Sequence, residues 1–318
     1  MNFVKEFLFR SPCDYNKIKV NYLKAFLPLM IIIHHANSFF EPRIDLPGRT
    51  SNIAMFMFFA MSGFGLVISF KKNESYINGF LIKSAKKLFT PYLVTLFLFV
   101  IYRIFEGVNQ LDLLKTEGLF SFVPTSWYLF VLFLFYLFFF LVFSLCKKSD
   151  VVKVLLTSFF VIVYMVVAPY VGIEPWRYKT CSAFCVGMFF ALFDGSIKKK
   201  FFTYHLFLAF VVTSIAITTI ILTKKSCFAV LEPLLFPTAL FTFMYCVPNL
   251  KNFSIIQFFS SISLEMYIIQ FIPIYIVTGD LNVKSPYLAF PLIVVCDVVL
   301  AYAIHFFIKK FQRKGLTS

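Results

Sequence analysis

Ten long apolar stretches, near residues 22–40, 51–70, 88–105, 126–146, 151–170, 179–194, 202–223, 228–247, 260–277 and 287–308, decide what this chain can fold into. A helix that crosses a bilayer needs roughly 20 consecutive apolar residues. A chain that is 60% hydrophobic and 14% charged cannot hide all of that surface in a water-soluble core. The sequence therefore predicts an all-α, polytopic integral membrane bundle of about ten transmembrane helices, with room for no sizeable soluble domain. The sixth stretch is short, and Pro233 and Pro237 would kink or delay the eighth, which leaves a re-entrant path open for either.

The basic residues agree with that count. Cytoplasmic loops collect Lys and Arg, and with the N-terminus inside, 21 of the 30 basic residues fall on the cytoplasmic face. Both termini are accordingly expected in the cytoplasm. No linker or charge block divides the chain, so residues 1–318 read as one transmembrane domain, with a short basic segment at 1–21 and a tail at 309–318. Segment 1–21 lacks an apolar core, so no cleaved signal peptide is expected and the first helix serves as its own insertion signal. The net charge of +15 is carried by these loops and implies no nucleic-acid partner. Seven cysteines are scattered without a Cys-x-x-Cys pair. Cys181 and Cys185 share a helix face at i,i+4, yet no third ligand lies near, and no metal site is expected.

Ionisable side chains at membrane depth are costly, so the few that remain are candidates for function, the alternative for a histidine being a hydrogen bond to a neighbouring helix that serves packing alone. The foremost are His34 and His35 in "YLKAFLPLMIIIHHANSFF", where His35 lies about 20 Å along the helix from Tyr22, in the outer half of the bilayer. Neighbouring residues point about 100° apart, so the two imidazoles do not serve one cavity. A basic loop, "NGFLIKSAKKLFTPY", is expected to enter the third helix, with Lys83, Lys86 and Lys87 at i, i+3, i+4 and so on one face. These lysines suit either a phosphate site or an ordinary inner-face anchor. Ser62-Gly63 supplies a hydroxyl and a close backbone approach that helix packing alone can use. Trp127 and Tyr128 stand where aromatic belts form. Glu265 and Gln270, five residues apart, belong to the ninth span, Asp297 falls mid-way along the last, and His205 and His305 lie near the cytoplasmic ends of theirs.

Taken in order, five stretches resemble the membrane-bound acyltransferase 3 family of bacterial O-acyltransferases acting on surface and exported glycans. They are Lys24 with His35 in "LKAFLPLMIIIHHA", "FFAMSGF" in the second helix, "FLIKSAKKLFTPY" before the third, "SWYL" opening the fourth, and the Ser-x-x-x-Tyr segment "ISLEMYIIQ". The family more often has Arg at Lys24, Ser84 and Lys87, and frequently His at Gln270. Lysine keeps the charge without the bidentate fork.

The resemblance implies transfer of an acetyl or other short acyl group from cytoplasmic acyl-CoA, as donor substrate rather than bound cofactor, to a hydroxyl of a glycan or glycolipid in a bacterial cytoplasmic membrane. His35 would be the catalytic base or acyl carrier, and Lys24, Lys83, Lys86 and Lys87 would hold the CoA phosphates. Ser62, Trp127, Tyr267 and Gln270 are possible supporting residues. A glycan transporter or flippase, with His35 and Asp297 lining a substrate or proton path, is the competing class.

Overall fold

The computed structural model describes residues 17–44, 50–107, 122–197, 199, 202–223, 231–248 and 250–314. Lys5, Arg10, Cys13, Cys227, Lys198, Lys200 and the last four residues of the tail lie outside the described residues. Among those described, every regular element is helical, and seven helices are long and apolar enough to cross a membrane. The chain is a multi-pass membrane protein with an all-α fold.

In chain order the main helices are α1 (Lys17–Asn37), α2 (Thr50–Lys72), α3 (Phe80–Phe105), α4 (Trp127–Leu145), α5 (Asp150–Val167), α6 (Pro175–Tyr178), α7 (Ser182–Ile197), α8 (Phe202–Thr223) and α9 (Glu232–Cys246). They continue as α10 (Ser254–Ser261), α11 (Ser263–Ile269), α12 (Phe271–Tyr275) and α13 (Pro286–Lys314), with a π-helical turn at Ile276–Asp280 between the last two. Helix stands in all ten apolar stretches. Three of these places differ from a plain span: α1 carries lysines and histidines, α9 has only 15 residues, and the ninth stretch is broken into short pieces. Pro233 sits in the first turn of α9, so the proline delays the helix start, whereas Pro237 is accommodated inside it.

The bilayer's imprint is plainest on α13. Leu288, Leu292, Val295, Val299, Tyr302 and Phe306 form an exposed apolar stripe at i,i+3/i+4 spacing. Ala289, Ile293, Asp297, Ala301, Ile304 and Ile308 form the buried one opposite. A helix apolar on both faces has lipid as its outer solvent.

The chain divides into two compact units. The first comprises residues 1–21, 52–80 and 137–253, and the second residues 22–51, 81–136 and 254–318. In the first unit, α2 and α7 meet backbone to backbone: a Cβ at Gly63 would overlap the carbonyl oxygen of Phe184, and one at Gly187 that of Ala60. Without a hydrophobic force between helices in lipid, such small-residue crossings supply the packing.

Three lysines of the same unit do structural work as well. Lys19, wholly buried, donates to the carbonyls of Met244 (2.6 Å) and Val247 (2.9 Å), closing the C-terminus of α9. Lys71 donates to those of Ala191 (3.2 Å) and Leu192 (2.9 Å) in α7. Lys153 lies 4.7 Å from the centre of the Phe70 ring and 5.7 Å from that of Phe143.

Candidate active site

His35, Lys24, Lys83, Lys86, Lys87, Trp127, Tyr267 and Gln270 all belong to the second unit, whereas Ser62 belongs to the first. His35 occupies the last turn of α1. Its carbonyl accepts from the Ser38 amide (3.1 Å) and the Ser38 hydroxyl (2.6 Å), and the carbonyl of Ala36 accepts from Phe39 (3.1 Å). These three-residue bonds satisfy carbonyls that the helix itself leaves open. The Asn37 side chain then bonds both the amide (3.0 Å) and the carbonyl (2.9 Å) of Ile44, fastening the chain that leaves the helix. The backbone beneath the imidazole is therefore held from both sides.

The imidazole itself is half-buried, 5.2 Å from the Phe271 ring and 5.6 Å from that of His34. Among the described residues it makes ring contacts and no hydrogen bond, so both ring nitrogens are available to another partner. Lys24 lies eleven residues earlier, ~16 Å along the axis and within about 20° of the same face. Pro28, between them, has no N–H to offer the carbonyl of Lys24.

Phe271 reaches His35 because the ninth stretch is interrupted next to it. Pro273 lacks the N–H that would bond the carbonyl of Ile269, and the helix breaks at Gln270. The Gln270 side chain is wholly buried; its amide donates to the carbonyl of Tyr267 (2.6 Å), while its own Oε1 has no hydrogen-bond partner among the described residues. The Tyr267 hydroxyl donates to the carbonyl of Thr125 (3.1 Å), and the Thr125 hydroxyl donates back to the carbonyl of Ile268 (3.2 Å). This reciprocal pair ties the end of α11 to the segment that opens α4. Trp127 is buried at the first residue of α4, 6.2 Å from the Tyr128 ring, which in turn lies 5.4 Å from Tyr267. An inward-packed Trp127 departs from the lipid-belt position expected of it.

Lys83, Lys86 and Lys87 stand exposed on α3, which begins eight residues earlier than the apolar stretch suggested, so the basic segment is helix rather than loop. None of the three makes an ion pair or hydrogen bond among the described residues. Ser62 is half-buried beside Gly63, at the α2–α7 crossing. Three further ionisable residues named from the sequence are also placed. Nδ1 of His305 lies 2.7 Å from Oε1 of buried Glu265, and Asp297 is wholly buried with neither oxygen hydrogen-bonded among the described residues. Sequence reasoning did not single out Thr125, Phe271 or Tyr275. Pro273 inside an apolar run was the signal that could have located Phe271 and Tyr275.

An imidazole with open nitrogens beside a broken helix, in a chain of membrane-spanning helices, suits group transfer at membrane depth. A family model described as an acyltransferase domain matches residues 17–307, which includes every residue of the candidate site. No curated protein and no solved structure matches the chain. The match runs from the first turn of α1 into the last turns of α13, and the chain belongs to the acyltransferase 3 family of membrane-bound acyltransferases.

Proposed function

We propose that this membrane acyltransferase takes an acetyl or other short acyl group from cytoplasmic acyl-CoA and passes it to a hydroxyl of a cell-surface or exported glycan, across a bacterial cytoplasmic membrane. The observation that carries the reading is His35, an imidazole with no hydrogen-bond partner among the described residues, on a backbone fastened by Ser38 and Asn37. Its role is to take the acceptor's proton as the acceptor oxygen attacks the thioester carbonyl. The carbon–sulfur bond breaks, an ester forms, and the proton leaves on the thiol of CoA. Transient acylation of the same nitrogen is the nucleophilic form of this role.

Lys83, Lys86 and Lys87, at the opposite end of α3 from Arg103, hold the CoA phosphates as point charges. Lys24 adds a contact on the face of α1 that carries His35, at a separation the extended pantetheine arm can cover. Trp127, Tyr267 and Gln270 support the backbone around the thioester.

The test is acyl-CoA-dependent release of free CoA with ester formation on the glycan by purified protein. His35→Ala should lower the transfer rate by about 100-fold or more, as loss of a general base does, while the protein still inserts and elutes as wild type. Wild-type transfer by that variant would remove His35 from the chemistry. Glycan movement without any acyl donor would establish transport instead.

A further inference from the structure

Beyond His35, the second unit carries a cluster of rings and charges that the proposed transfer does not use. Tyr275, the last residue of α12, is its hub. Its ring lies 5.7 Å from Phe271, 5.7 Å from Phe39, 6.3 Å from Phe99 and 6.2 Å from Tyr102, which stacks nearly parallel to it at 10°. The Arg103 guanidinium sits 5.5 Å from the same ring and bonds Glu106 at 2.6 Å. The Tyr102 hydroxyl donates to Glu106 (2.8 Å) and lies within reach of Asp280 (3.2 Å).

Two irregularities of the chain build this arrangement. The break at Gln270 turns α12, and the π-helical turn Ile276–Asp280, sealed by the Leu281 amide on the carbonyl of Ile276 (2.8 Å), sets Asp280 opposite the end of α3. Single π turns recur at functional sites because they re-aim side chains at the cost of regular bonding.

We infer that Tyr275, Tyr102, Arg103, Glu106 and Asp280 form the binding site for the acceptor, a neutral polyhydroxylated sugar. The inference rests on the acyl transfer proposed above. Carboxylates accept from, and a guanidinium donates to, the hydroxyls of a sugar ring, while Tyr faces cover its C–H surface. The cluster is half-exposed to exposed, as an entry site requires: Glu106 and Asp280 are exposed and Tyr102, Arg103 and Tyr275 half-buried. Its two carboxylates against one guanidinium repel phosphate, which excludes the CoA end of the donor. Along α3 it stands about 22 Å from Lys87, counting from Tyr102 at 1.5 Å per residue, so one helix carries donor-type charge at one end and acceptor-type groups at the other. Phe271, in contact with both His35 and Tyr275, joins the cluster to the imidazole.

The test uses surface polysaccharide extracted from source cells lacking the gene, whose target hydroxyls are therefore unacylated. Asp280→Asn, Glu106→Gln and Tyr275→Leu should each raise the apparent KM for this polysaccharide about tenfold and leave the KM for acyl-CoA unchanged, the pattern of lost acceptor binding. The first two are isosteric at exposed positions, and the unchanged donor KM reports an intact fold. A polysaccharide KM within about twofold of wild type in all three, or a donor KM that rises in step, overturns the assignment. Should the wild type transfer no acyl group, the proposed reaction fails by itself, and equilibrium binding of the fluorescently labelled polysaccharide decides the site. Retention by wild type and loss in Asp280→Asn supports it; equal retention by both, or by neither, overturns it.

Discussion

Single side chains in this protein divide into those whose polar groups are spent on the fold and those left open. Lys19 is fully spent. A cation at zero exposure would be untenable alone, and the carbonyls of Met244 and Val247 receive it. Lys19→Met should therefore lower the unfolding free energy in detergent by about 1.5–3 kcal/mol, the range for hydrogen bonds to charged groups. Lys19→Arg should recover much of it, and thermal unfolding monitored by circular dichroism checks both. Gln270 is the opposite case. Its Oε1 is buried without a partner among the described residues, a condition costing about 1–3 kcal/mol that an apolar side chain would avoid. If that oxygen is held for the reaction, Gln270→Leu should be at least as stable as wild type and transfer acyl groups about tenfold more slowly. A variant that is destabilised but fully active would assign Gln270 to packing. The sequence separated His35 and Gln270 from their apolar neighbours by cost alone. It could not do so for Lys19 or Lys153, since a lysine that caps a helix and one that merely faces cytoplasm look alike in a basic segment.

At the scale of the element, apolar length located all ten helical regions, because the bilayer demands the same run of residues wherever a helix crosses. Their interruptions were harder to read. In the eighth stretch Pro233 delays the start of α9 and Pro237 is absorbed inside it, while Pro273 breaks the ninth stretch next to Phe271, the ring that meets His35. A proline's consequence depends on whether neighbours satisfy the freed carbonyl, which sequence does not state. Glycines show the same dependence. Gly187→Ala places a methyl group into the backbone of Ala60, which cannot move aside without shifting α2 whole. That variant should misfold or lose more than about 3 kcal/mol, as overpacked cores at their worst do. Gly65, on the same helix α2, has open space where its Cβ would be. Gly65→Ala should be neutral or stabilising by up to about 1 kcal/mol, from helix propensity alone. Fluorescence size-exclusion profiles after a temperature series separate the two outcomes.

For the whole molecule, the orientation in the membrane gives each end of α3 its proposed role. On the positive-inside bias, Lys83, Lys86 and Lys87 are expected on the cytoplasmic face, the side of the proposed acyl-CoA donor, and Glu106, Asp280 and the His35 end of α1 on the far face, the side of the proposed glycan acceptor. Lys19, Lys71 and Lys153 weaken that bias as evidence, since each has a packing reason to be where it is. The remaining loop lysines still favour the same face. In a background without native cysteines, Lys148→Cys and Lys199→Cys should react with a membrane-impermeant maleimide only after permeabilisation. Glu174→Cys and Lys284→Cys should react in intact cells. All four positions are exposed, so silence reports sidedness rather than burial. The reverse pattern would present the lysines to the outside, where no acyl-CoA exists, and would break the proposed donor and acceptor assignments together. Mixed labelling of one pair would instead mean that a stretch counted as a span, α9 or the broken α10–α12 region first, does not cross, and every assignment beyond it would change sides.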